Sequence, residues 1–328
     1  MPTGGMPKTS DKHANNHKVA SMSYSRVIVT TTINPPTEAL RKFARLEDWH
    51  LVIVGDLKTP TPYHIEGATY LSPSAQEKMA PRLSDLTGWN CMQRRNFGFI
   101  WAAKQGASMM ATVDDDNIPY ANWGQSPLVD QEVEVDYYTS PIPAFDPVGT
   151  TEYRHLWHRG FPIQWLGDRT YANKARKRIT VDVEAGFWNG DPDIDAICRM
   201  EHRPQVTFAD APFPLSGGPI APFNSQNTIL SARAFPDYFL FPKIGRMDDI
   251  WGSFWLQSKG FNVVFSKASV FQARNVHDLT KDFEAESLGY TKSYLLLPAL
   301  LSEGPDAIWR FLPEGSRAIF DAYREQFN

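Results

Sequence analysis

The sequence predicts an α/β protein with a mixed, mainly parallel sheet flanked by helices and a helical extension at the C-terminal end. Three observations lead there. Two apolar strands enclose one helix within about 30 residues, the length of a βαβ unit. A third apolar strand runs directly into three consecutive aspartates, and leucines and aromatics recur at helical spacing near the end of the chain.

The elements follow in order. Arg26-Val27-Ile28-Val29-Thr30-Thr31-Thr32 is a β-branched run of the kind that makes a buried strand. Pro35 and Pro36 then open a helical segment with Leu40, Phe43, Ala44 and Leu46 on one face. Leu51-Val52-Ile53-Val54 is the second buried strand and ends at Gly55-Asp56. A crossover this short makes the two strands parallel and the connection right-handed. After a proline-rich loop, a helix is predicted over 89–105, stopped by Gly106. Met109-Met110-Ala111-Thr112-Val113 is the third strand and leads into Asp114-Asp115-Asp116-Asn117.

From 119 to 222 the chain reads as loop-rich, and from 224 to 276 as apolar strands around one helix over 249–259. Residues 294–327 read as two short helices packed on the core rather than as membrane anchors. The expected organisation is a disordered leader over 1–24, one catalytic domain over 25–292, and helices over 293–328 packed on that same domain. No internal repeat is visible.

Composition narrows the function classes. The chain has 328 residues, enough to bury a full core, and its 25 prolines point to long, shaped loops. A net charge of −4 gives no dominant basic face, so nucleic acid is not an expected partner. The run Lys174-Ala175-Arg176-Lys177-Arg178 reads as a solvated loop, with a phosphate-facing lid as the alternative. Cys91 and Cys198 make neither a disulfide framework nor a zinc site, which fits a reducing compartment. The polar start, with His13, Asn15, Asn16 and His17, does not read as a signal peptide. No apolar run approaches the roughly 20 residues that span a bilayer. The expectation is a soluble, cytoplasmic protein that meets membranes only through a partner or a bound substrate.

The chemistry centres on the acidic run. Ligands of open α/β sheets bind beyond the carboxyl ends of parallel strands, where Asp56 and the Asp114 cluster both fall. Adjacent carboxylates repel unless a cation sits among them. Alternation at a strand end turns Asp114 and Asp116 one way and Asp115 another. Their oxygen ligands suit Mg²⁺ or Mn²⁺, which would neutralise charge on a departing nucleotide diphosphate. The alternative is a polar loop in which Asp116 or Asn117 caps the next turn.

Asp56 is a candidate for a ribose hydroxyl or base edge and Lys58 for a phosphate, although turn roles account for both as well. Arg94, Arg95 and Asn96 precede an apolar helix face, and an arginine there matches phosphate oxygens in a fork; solvated helix surface is the alternative. In Gly245-Arg246-Met247-Asp248-Asp249-Ile250-Trp251, one aspartate is expected to cap the following helix. The other would face the cleft as a base or acceptor-orienting carboxylate. His277 is a candidate late metal ligand, with a structural role as the alternative.

Taken together, these motifs resemble the STELLO and reversibly glycosylated polypeptide group of glycosyltransferase-like proteins. The resemblance is carried by Val54-Gly55-Asp56-Leu57-Lys58-Thr59-Pro60, Arg95-Asn96-Phe97-Gly98 and Val113-Asp114-Asp115-Asp116-Asn117. Arg159-Gly160-Phe161-Pro162, Asp191-Pro192-Asp193-Ile194-Asp195-Ala196 and Phe223-Asn224-Ser225-Gln226-Asn227-Thr228 continue it. The Gly245–Trp251 stretch and Arg274-Asn275-Val276-His277-Asp278 complete it.

The resemblance implies a GT-A fold, a nucleotide-sugar donor and a divalent metal held by the Asp114 cluster. In the plant UDP-arabinopyranose mutases the arginine matching Arg159 becomes glycosylated. Those mutases carry a second arginine seven residues later, where this chain has Leu166, with Arg169 three residues beyond. STELLO proteins are Golgi membrane proteins, and this chain resembles their soluble catalytic part, without their anchor.

The leading expectation is a glycosyltransferase using a UDP- or GDP-linked sugar and a glycan, protein or small-molecule acceptor. The metal would sit on Asp114 and Asp116, with Asp115 and Asp56 near the nucleotide, Arg95 near the phosphates and Asp248 or Asp249 at the acceptor. Arg159 would line the cleft. The alternatives are a nucleotide-sugar mutase and a noncatalytic nucleotide-sugar-binding scaffold. Scattered histidines weigh against a two-metal phosphohydrolase, and a homo-oligomer is compatible with the sequence.

Overall fold

A computed structural model describes residues 1, 24–273 and 278–328. His277 and nearly all of the expected leader lie outside the described residues. The chain begins with β1 (Arg26–Thr31), α1 (Glu38–Phe43) and β2 (His50–Val54), followed by β3 (Ala68–Leu71), α2 (Pro73–Met79) and α3 (Pro81–Thr87). Then come α4 (Arg95–Lys104), β4 (Met109–Val113), the short β5 (Asn117–Pro119), β6 (Glu132–Ala144) and β7 (Lys174–Thr180). After them lie β8 (Val183–Gly190), α5 (Ala196–His202), β9 (Leu215–Ile220) and β10 (Asn227–Ser231). The last elements are α6 (Asp248–Ser258), β11 (Val263–Gln272), α7 (Leu279–Glu303) and α8 (Ser316–Arg324).

Among the described residues, eleven strands form one sheet in the order β3-β2-β1-β4-β10-β8-β11-β9-β6-β7, with β5 on β11. The first four strands pair in parallel, so Thr31, Val54 and Val113 end on one edge. From β10 onward the pairing is mixed, antiparallel to β4 and β8 but parallel between β8 and β11. This is the GT-A-like α/β arrangement, with helices packed on the sheet and a helical C-terminal part.

Local chemistry explains the elements that position the acidic edge. Thr37 caps α1 by accepting from the Leu40 N–H at 3.2 Å. α4 lies directly on the sheet because Gly98 has no side chain; a Cβ there would run into Val29 and Val54. Gly106, at φ +75°, closes α4 as expected of a helix-stopping glycine. The helix begins at Arg95, after a short 3-10 turn over Met92–Arg94, instead of at residue 89.

Two regions depart from the sequence reading. The segment over 119–222 holds four of the strands, β6 to β9, which the sequence hides because β6 and β7 alternate little apolar character and prolines break the period. The basic run is strand β7 rather than a loop, paired with acidic β6. Lys174 and Arg176 meet Asp136, Arg176 also meets Glu134, and Lys177 lies over Tyr137. The two short helices expected over 294–327 are instead one long helix, α7, and the short α8. The expected division at 292/293 falls inside α7. Among the described residues no helix is long and apolar enough to cross a membrane.

Candidate active site

The acidic run forms a tight turn between β4 and β5, closed by the Asn117 N–H donating to the Asp114 carbonyl at 3.3 Å. Asp114 and Asp116 both line a cavity of about 520 Å³. Asp115 turns back instead, accepting from the Thr32 hydroxyl and, at 3.0 Å, from Asn34 Nδ2. Its carbonyl accepts from the Thr37 hydroxyl at 2.6 Å, which ties the turn to the start of α1. Asp115 therefore organises the neighbouring loop and does not line the cavity.

Arg95 sits behind this turn. Its guanidinium is buried and donates to Asp114 Oδ1 at 2.8 Å, to the Ser225 carbonyl at 2.9 Å and to the Thr31 hydroxyl at 3.2 Å. Arg95, expected near the phosphates, is not among the residues of the cavity wall and holds Asp114 in place from behind it. Burial pushes the Asp114 carboxyl up, while Arg95 pulls it back down. Arg94 is fully buried too, stacked on Trp89 and bonded to Gln76 at 2.8 Å, and burial lowers it to about 10.

Asp56, expected near the nucleoside, is bonded to backbone. It is 6% exposed and accepts from the backbone N–H groups of Leu57, Asn90 and Cys91 at 2.6, 2.8 and 3.1 Å. Those bonds pin the loop that carries Cys91, Met92 and Gln93 into the cavity wall, so its carboxylate is committed to backbone. Lys58 is exposed on the turn after β2 and is not among the residues that line the cavity.

The opposite wall comes from the start of α6 and the loops packed against it. The helix begins without a side-chain cap, so neither Asp248 nor Asp249 has the expected capping role. Asp249 accepts from Arg159 Nη1 and Nη2 at 3.0 and 3.2 Å, and from the Ser225 N–H at 2.8 Å. Burial works to raise its pKa, but the Arg159 guanidinium outweighs burial and holds it below the ordinary value. Asp248 accepts from Gln93 Nε2 at 2.6 Å. With no guanidinium of its own, it is pushed up to about 7 by burial and then by the Asp249 charge.

Arg159 borders the cavity but is fully engaged. Its Nε donates to Asp193 at 2.9 and 3.0 Å, its Nη atoms grip Asp249, and Nη1 also meets the Arg246 carbonyl. Burial alone would lower its pKa, yet Asp193 and Asp249 raise it well above the ordinary value.

Several cavity residues carried no assigned role in the sequence reading. Gln93, Asp193, Gln226, Lys243, Arg246 and Gln272 all line it. Gln272 donates to Asp116 Oδ1 at 3.1 Å, and Arg246 donates to Glu286 at 2.8 Å. Asp193, Gln226 and Arg246 stand inside recognisable motifs, whereas Gln93 and Gln272 lie in stretches with no pattern to mark them.

Five carboxylates and three cationic side chains line the cavity. Arg159 is committed to Asp193 and Asp249, while Asp114 is paired with Arg95 from behind the wall and Asp116 accepts from Gln272. Among the described residues no group of three metal-ligating side chains stands together. Two hard carboxylates on one cavity wall still fit Mg²⁺ or Mn²⁺, which take one or two protein carboxylates and complete their shell with phosphate oxygens and water.

No protein-family model matches the chain. Over 259 residues it is 23% identical to an Arabidopsis thaliana protein named "Probable glycosyltransferase STELLO1". Over 265 residues it is 24% identical to "Probable glycosyltransferase STELLO2" from the same plant. Each match takes in 73% of this chain and 34% of the relative, so the chain spans about a third of the length of the curated relatives it matches. By sequence, the protein is similar to a STELLO-like group over most of its length.

Proposed function

We propose that the chain is a metal-dependent glycosyltransferase, which takes a nucleotide diphosphate sugar into the cavity beside Asp114 and Asp116. The observation that carries this reading is the pairing of two walls. Hard carboxylates at a strand end face a buried carboxylate, Asp248, whose pKa lies near 7. The names of the two similar plant proteins support the same class.

Each residue then has a task. Asp114, held by Arg95, and Asp116, held by Gln272, supply the oxygen ligands for Mn²⁺ or Mg²⁺. The bound cation would supply charge neutralisation for the departing nucleotide diphosphate. Lys243 and Arg246, on the same cavity, suit the phosphate oxygens. Asp248 takes the proton of the acceptor hydroxyl as that oxygen bonds to the sugar carbon. The bond to the phosphate oxygen breaks, and its electron pair leaves with the nucleotide.

The state of Arg159 favours transfer over a mutase that carries sugar on this arginine. All its nitrogens are hydrogen-bonded and its raised pKa keeps it a cation, so it presents no nucleophile. The test is incubation with UDP- and GDP-sugars and Mn²⁺, without acceptor. Slow release of free sugar, lost in Asp248→Asn, supports the transferase. An isomerised nucleotide sugar makes the protein a mutase, and binding without either product makes it a scaffold.

A further inference from the structure

Next to the donor cavity lies a second depression of about 380 Å³, between the loop before α6, the first half of α7 and the turn over Phe311–Pro313. The two share Lys243 and Gly245 as a common border. The border is fixed in place. Gly245, at φ +60°, packs so closely on α7 that a Cβ would strike the Ala285 carbonyl. Arg246 adds an ion pair to Glu286 of α7 at 2.8 Å. Lys243 takes the left-handed conformation at φ +65°, uncommon outside glycine, and stands exposed on the ridge.

The floor of the groove is apolar, from Leu288, Phe311, Leu312 and Pro313, and its rim is polar, from Lys243, Glu284 and Ser287. One cation and one anion cancel, so the rim does not select a phosphorylated or otherwise multiply charged occupant. A purely apolar occupant would leave the rim groups without partners. A pyranose satisfies both parts: its C–H face stacks on an aromatic or aliphatic floor while its hydroxyls bond to a carboxylate, a hydroxyl and an ammonium.

We propose that this groove binds the sugar units of a neutral oligosaccharide acceptor and leads its reactive end over the Gly245 ridge toward Asp248. The proposal rests on the donor reading of the adjacent cavity.

Two measurements on the intact chain separate the two ideas. Saturation-transfer NMR with a panel of neutral oligosaccharides tests the groove, and calorimetry with nucleotide diphosphates and Mn²⁺ tests the cavity. The groove proposal predicts oligosaccharide binding that weakens about tenfold in Phe311→Ala and also in Glu284→Gln, an exposed change that spares the fold. Absence of oligosaccharide binding, binding unaffected by both changes, or capture of peptides instead overturns it. Oligosaccharide binding without nucleotide binding leaves the groove standing and removes the donor reading; the reverse removes the groove alone.

Discussion

Arg159 and Asp249 face each other as a buried fork, with Nη1 to Oδ1 at 3.0 Å and Nη2 to Oδ2 at 3.2 Å. The same guanidinium reaches Asp193 through Nε at 2.9 Å. One arginine thus ties the loop after β8 to the start of α6, two segments that build one wall of the cavity. Fixing Asp249 as an anion also raises its neighbour Asp248, so the fork governs both structure and protonation.

Removing Arg159 takes the counter-charge from buried Asp249 and leaves Asp193 with the more distant Arg246, at 3.8 Å. Arg159→Ala is expected to destabilise the protein by about 3–5 kcal/mol, read from urea unfolding. Arg159→Lys keeps the charge but not the fork and should recover only part of that loss. Intact-mass measurement after incubation with nucleotide sugars should find no sugar adduct on Arg159.

Asp248 retains its proton below about pH 7 and accepts one only above it. Donor turnover, measured as kcat/KM, is expected to rise with pH through about 7 and then level off. Gln93 donates to the ionised carboxylate, so Gln93→Leu should move that midpoint upward. A profile flat across this range would remove Asp248 from the role of base.

Stability should carry a related signature. Asp195 and Asp248 are both raised to about 7 in the folded chain, Asp195 mainly by burial. Unfolded carboxyls titrate near about 3.9. The folded state therefore binds more protons between those values, and stability falls as pH rises through about 7. Asp195→Asn can keep the cap on the Cys198 N–H while removing one titration, so its Tm should depend less on pH than that of the parent protein.

Asp56 acts on the fold before it acts on any ligand. Asp56→Ala leaves buried N–H groups without their acceptor, at a cost of roughly 3 kcal/mol by thermal or urea unfolding. Any loss of nucleotide affinity should follow from release of the loop carrying Cys91, Met92 and Gln93. If stability holds and affinity alone falls, Asp56 meets the ligand directly.

The parts written as local pattern were legible in the sequence. The runs at Val27–Val29, Leu51–Val54 and Met109–Val113 give the parallel edge, and three adjacent aspartates at its end mark the cavity. What a side chain does after folding was not legible. Asp56 and Arg95 have the residue types of ligand binders, but long-range partners, Cys91 and Ser225 among them, turn both into supports. Gln93 and Gln272 had no signal, because a glutamine matters only through the aspartate it meets. β6 and β7 escaped notice because a cross-strand ladder of charges carries little apolar period.

The central claim is that Asp114 and Asp116 form a cation-dependent site for a nucleotide diphosphate. Calorimetric titration of UDP and GDP, with Mn²⁺ and with chelator, on the parent protein and on Asp116→Ala tests it most directly. The account predicts binding of one nucleotide that needs Mn²⁺ and is lost in Asp116→Ala while the variant stays folded. Binding that ignores both chelator and mutation, or no binding of any nucleotide to the folded protein, would contradict it.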